Sequence, residues 1–185
     1  MVTVSVKPLD TVRRRFSPWM NKGQALFSPR EIRLLVGRIC RELALPAGAN
    51  VLDFLGEYGR RRGLRLKMIA VNISPGDDRL FGFYMATELW NLIVYRENTS
   101  WLHQNRILAH EGGHLILGHA PRTREAVLGG GAGERTLAQE AAAEFFAACL
   151  LERLTKGVPG GEQRRMALQN RPEAMRLEEF FRSFR

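Results

Sequence analysis

The fold is decided by Ser100–Gly118, which reads SWLHQNRILAHEGGHLILG. Its apolar residues recur at helical spacing, so the stretch predicts one helix that its last glycine ends. The helix carries an H-E-x-x-H motif at His110–His114. Since residues four apart lie one turn above each other, both imidazoles can point at one metal ion. Glu111 is rotated by about 100° from the first histidine, which predicts that its carboxylate lies beside the ion and holds a water molecule.

Two glycines occupy the middle of this motif. Together, Gly112 and Gly113 lower the stability of a helix by about 2 kcal/mol relative to alanine. A helix that only packs in a core gains nothing from them. They therefore predict that another backbone approaches the helix closely at this point.

A catalytic zinc site needs a third protein ligand and one open position. The metzincin pattern is excluded, because it requires histidine and glycine where the chain has Ala120 and Leu117. Glu140 is the better candidate, since it lies on a second long helix, far enough along the chain to return as an antiparallel neighbour. Glu144 follows one turn later on an otherwise small and apolar helix. Two glutamates one turn apart favour a helix face that points at the metal. The alternative is that Glu140 and Glu144 lie on a solvated helix face.

The rest of the chain predicts an α+β domain in which a sheet of three or four strands is followed by helices. Capping boxes at Ser28 and Thr136 open helices, and Asn50 opens another that stops near Gly63. Strands are expected at 64–71, 80–85 and 89–95, the last two as a hairpin. We assign an N-terminal arm to 1–27, the main domain to 28–156, a loop to 120–135, and a C-terminal helical extension packed on the same domain to 157–185.

Composition sets the class of protein. The 185 residues are 45% hydrophobic and 25% charged, which fits one soluble globular domain. The 2 cysteines are too few for a disulfide framework, and no secretory signal or membrane span is visible, so a cytoplasmic location and no membrane partner are expected. The net charge of +9 indicates either an acidic partner, nucleic acid included, or a solvated basic surface.

Two segments together resemble the ImmA/IrrE family of metallopeptidases: RILAHEGGHLILGH at 106–119 and EAAAEFFAACLL at 140–151. The second segment matches the family's E-x-x-A-(N/D)-x-F-A-x-x-L-L pattern at Glu140, Ala143, Phe146, Ala147, Leu150 and Leu151. The chain departs from the family at Gly112, where an apolar residue is usual, at Glu144, where Asn or Asp is usual, and at Glu152, where Pro often stands. Residues 1–47 are too short for the complete helix-turn-helix domain that many members carry.

The resemblance implies a small gluzincin-like fold, in which a twisted sheet packs on two metal-bearing helices. It also implies a regulatory zinc endopeptidase whose partner is a helix-turn-helix repressor. One Zn²⁺ ion would be bound by His110, His114 and Glu140, with Glu111 as the general base.

Two alternatives to a protease stay open. One is a non-proteolytic, zinc-containing regulator or toxin–antitoxin-type component that binds and sequesters its partner, and the other is a DNA-associated protein. For a second group that polarises the substrate carbonyl, the candidates are Arg106, Tyr95 and His119. His119 lies about 140° around the helix from His114, which also places it at the helix end or behind the ligands. The strand Leu92–Tyr95 is expected to offer an edge for an extended substrate.

Overall fold

The computed structural model describes residues 27–72, 81–123, 126–127, 135–156 and 175–176. They form a small mixed α+β domain, as the sequence predicts. Its helices are α1 (Pro29–Leu43), α2 (Val51–Arg62), α3 (Trp101–Leu117) and α4 (Leu137–Thr155). Its strands are β1 (Leu66–Asn72), β2 (Gly82–Ala86), β3 (Asn91–Arg96) and β4 (Met175–Arg176).

Local signals set the helix ends. The side chains of Ser28, Asn50 and Thr136 each accept a hydrogen bond from a first-turn amide, and each completes a capping box. Gly63 and Gly118 end α2 and α3 with φ values of 62° and 74°, a left-handed conformation in which glycine has no Cβ to clash. These boundaries confirm the predictions from sequence.

The sheet has the order β2-β3-β1-β4. β2 and β3 form the expected antiparallel hairpin, while β1 pairs with β3 in parallel from Leu66↔Asn91 to Val71↔Arg96. β3 therefore lies inside the sheet, and the expectation that Leu92–Tyr95 offers a free edge is wrong. The free edge of the hairpin belongs to β2, because β1 pairs with the other side of β3.

Part of the predicted organisation lies outside the described residues, namely most of the arm at 1–27, residues 124–125 and 128–134 of the loop at 120–135, and most of the extension at 157–185. In that extension, Met175–Arg176 form a short strand parallel to β1 instead of the helix expected there. Pairing with the sheet supplies backbone partners that a local helical pattern does not anticipate. Among the described helices, none is both long enough and apolar enough to cross a membrane.

The main core lies between the four helices and one face of the sheet. α3 runs through its middle, and most of its residues from Ile107 to Leu117 are buried. Gly113 lies against the backbone of α4, with 3.3 Å between the position of a Cβ and the Ala143 carbonyl oxygen, which confirms the expected close approach. Gly112 faces the side chain of Leu55 on α2 instead of a backbone.

Candidate metal centre

Three ligand atoms converge where α3 meets α4. The Nε2 atoms of His110 and His114 lie 3.0 Å apart. One carboxylate oxygen of Glu140, Oε2, lies 3.1 Å from the first of these nitrogens and 3.5 Å from the second. The three residues form a group able to hold a metal ion.

The size of this triangle fits zinc. A tetrahedral Zn²⁺ with ligand distances near 2.0–2.1 Å keeps its ligand atoms about 3.3 Å from one another. The separations of 3.0, 3.1 and 3.5 Å lie on either side of that value. Two imidazole nitrogens and a carboxylate oxygen also match the donor set of catalytic zinc sites, which leave the fourth position open.

The histidine ring on α3 that is most deeply buried is held neutral. His114 has no exposed surface, and its burial, together with the nearby charge of Arg135, lowers its pKa far below the usual range. A neutral imidazole is the form that binds a metal. Its Nδ1 lies 2.9 Å from Nδ1 of His119, so when Nε2 binds a metal, Nδ1–H of His114 donates to His119.

His119 therefore lies behind a candidate ligand, the position that one of the sequence interpretations gave it. It is 9% exposed, and burial lowers its pKa to about 4. Its position behind the ring of His114, at the end of α3, fixes the orientation of that ring.

Glu111 lies beside the triangle and lines the adjacent cavity. It is 4% exposed, and one of its oxygens, Oε2, accepts a hydrogen bond of 2.9 Å from the backbone amide of Tyr84 on β2. The same oxygen accepts a bond of 3.3 Å from Nη1 of Arg135. Both donors hold one side of the carboxylate.

Arg135 was not found from sequence. It lies immediately before the N-cap of α4, and its side chain is 1% exposed. Its Nε donates to the carbonyl of Ala120, and burial lowers its pKa, while the carboxylates of Glu111 and Glu140 raise it. No pattern marks this arginine, because it stands in a glycine-rich loop with no periodicity.

The cavity beside the triangle has a volume of about 230 Å³. Arg106, Arg122 and Glu144 line it together with His110 and Glu111. Arg106 forms an ion pair with Glu144, whose carboxylate also lies 3.5 Å from Nδ1 of His110. This glutamate is 48% exposed, so the solvated-face interpretation describes it better than Glu140, which points into the triangle.

The three candidates for a second group that polarises the substrate carbonyl lie in different places. Arg106 lies at the cavity. Tyr95 is 2% exposed and packs in the main core, and His119 lies behind His114.

No model of a known protein family matches the chain, and neither curated proteins nor solved structures give a match.

Proposed function

We propose that the protein is a zinc-dependent endopeptidase of the ImmA/IrrE type with a small zincin-like fold. The observation that carries the proposal is the triangle of His110, His114 and Glu140, with the carboxylate of Glu111 directly beside it. The set provides three ligands and leaves room for a fourth, and the adjacent carboxylate of Glu111 can act as the base. The resemblance in sequence agrees with this arrangement.

The chain's own residues bind the ion and move protons. Zinc held there supplies a Lewis acid that lowers the pKa of a bound water toward about 7 and polarises the scissile carbonyl. Glu111 takes the proton of the attacking water and then delivers it to the leaving amine. His119 keeps the ring of His114 in the tautomer that exposes Nε2 to the metal.

The cavity next to the triangle is the place for substrate side chains. Its lining includes the apolar Phe81 and Ile107 and the basic Arg106 and Arg122. Such a mixed lining suits one side chain of an extended peptide. Following the resemblance, we propose a cytoplasmic regulatory protease whose substrate is a helix-turn-helix repressor.

A library of peptides derived from a whole proteome tests the activity without a known substrate. The zinc-loaded protein is expected to cleave a subset of peptides, identified by mass spectrometry, and a chelator is expected to abolish the cleavage. Glu111→Gln is expected to lose cleavage by at least about 100-fold, since it removes the base, while it still binds one zinc ion.

The matched control is Glu152→Gln, an exposed glutamate near the far end of α4 that pairs with Lys156. It is expected to cleave as the wild type does. Cleavage that survives the chelator, or that Glu111→Gln leaves intact, contradicts the proposal. A protein that binds zinc and a repressor but cuts no peptide is the sequestering regulator instead, and a steep salt dependence of DNA binding marks the DNA-associated alternative.

A further inference from the structure

Arg135 is a buried cation at the centre of the site. Its guanidinium contacts three groups: the carbonyl of Ala120 at 3.1 Å, Oε2 of Glu111 at 3.3 Å, and Oε1 of Glu140 at 3.9 Å. Its remaining nitrogen, Nη2, is buried and has no hydrogen-bond partner among the described residues. A buried, incompletely paired charge is a poor way to stabilise a core, since well-packed apolar residues do as well or better. The position therefore calls for a role beyond packing.

In each of the two carboxylates, the guanidinium of Arg135 contacts one oxygen and not the other. In Glu111, Oε2 is held by Arg135 and by the amide of Tyr84, which leaves Oε1 as the oxygen for a proton transfer. In Glu140, Oε2 lies in the triangle and Oε1 lies toward Arg135. One guanidinium thus stands behind both the base and the third ligand.

The same arginine connects the two helices that carry the site. Its Nε bond to Ala120 reaches the segment that leaves α3, while Arg135 itself enters α4. A planar guanidinium can hold these groups at fixed angles, which a lysine ammonium cannot do. The position of Glu140 relative to the histidines is therefore tied to the arginine.

We infer that Arg135 is a positioning residue that orients the carboxylates of Glu111 and Glu140 toward the bound metal. The inference rests on the proposed function, because it needs the metal centre. A positioning role and a simple charge effect predict opposite changes in metal affinity when Arg135 is removed. A cation acting only through its charge repels a metal ion, so its removal strengthens metal binding, whereas loss of a positioning residue weakens it.

Cobalt titration of the full chain tests this inference, with Co²⁺ alone as the probe and its visible absorption as the report on ligand geometry. Arg135→Lys keeps the positive charge but loses the planar set of guanidinium donors, and Arg135→Met loses both. Both variants are expected to bind Co²⁺ about 10-fold or more weakly than the wild type, with an altered spectrum. The matched control is Arg153→Lys, a substitution at an exposed arginine on α4, and it is expected to behave as the wild type.

Thermal denaturation of the metal-free variants identifies any variant that fails to fold. One folded variant is enough for the test. Wild-type affinity and spectrum in the lysine variant, or tighter binding in the methionine variant, overturn the inference while the metal centre stands. A wild-type protein that binds no Co²⁺ refutes the proposed function, and the inference with it.

Discussion

Replacement of Gly82 by alanine tests how β2 packs against α3, the helix that carries His110 and His114. A Cβ at this position would lie 2.3 Å from Cγ2 of Ile107 and 2.8 Å from the carbonyl oxygen of Val94. Ile107 is β-branched and has one strongly preferred rotamer in a helix, and the carbonyl belongs to the central strand β3, so neither group can yield easily. β2 must therefore move away from α3.

Overpacking of this kind destabilises proteins by about 1–3 kcal/mol, and the backbone contact places Gly82→Ala at the upper end. For a chain of this length, about 3 kcal/mol corresponds to a drop in Tm of about 6–12 °C. Urea and thermal unfolding measure both quantities. Because β2 also carries the Tyr84 amide that donates to Glu111, the same displacement loosens the hold on the Glu111 carboxylate.

The control is Gly56→Ala on the exposed face of α2, where nothing lies within 4 Å of the new Cβ. Alanine is a better helix former than glycine by about 0.5–1 kcal/mol, so this variant is expected to be more stable than the wild type. The two alanine substitutions are thus expected to change the free energy of unfolding in opposite directions. A Gly82→Ala protein as stable as the wild type would refute the packing of β2 against α3.

Three further predictions concern the histidines and the metal. The metal-free protein is expected to lose stability as the pH falls from 6.5 to about 4, because His119 binds a proton in the unfolded chain before it does in the folded one. The loss from this group is about 3 kcal/mol, and denaturant titrations at several pH values measure it; a flat profile contradicts the burial of a neutral ring. Zinc at 100 times its Kd is expected to add about 2.7 kcal/mol and to raise Tm by about 5–11 °C, reversed by a chelator, and an unchanged Tm argues against the site. His119→Ala is expected to weaken zinc binding by about 10-fold or more, by calorimetry, since Nδ1–H of His114 loses its acceptor.

Much of the site could be predicted from sequence because its signals are local. The spacing of His110 and His114 fixes both rings on one helix face whatever the rest of the chain does. Glu140 was predictable because a carboxylate is conspicuous on a helix of small and apolar residues. The capping residues and the terminal glycines act within one helical turn, which is why those boundaries were correct.

The parts that were missed depend on contacts between distant segments. The insertion of β1 beside β3 is decided by pairing across the sheet, which a single strand does not encode. The hold on Glu111 comes partly from a backbone amide, which has no side-chain signature, and partly from Arg135, which lies in an aperiodic loop. The strand at Met175–Arg176 likewise follows from the edge of β1 that it meets, not from its own pattern.

The most direct test of the metal centre is a crystal structure of the zinc-loaded protein with anomalous scattering recorded at the zinc absorption edge. The account predicts one anomalous peak per chain, about 2.0–2.2 Å from Nε2 of His110, Nε2 of His114 and an oxygen of Glu140. A peak that lies elsewhere, or a carboxylate of Glu140 turned away from the ion, would contradict it.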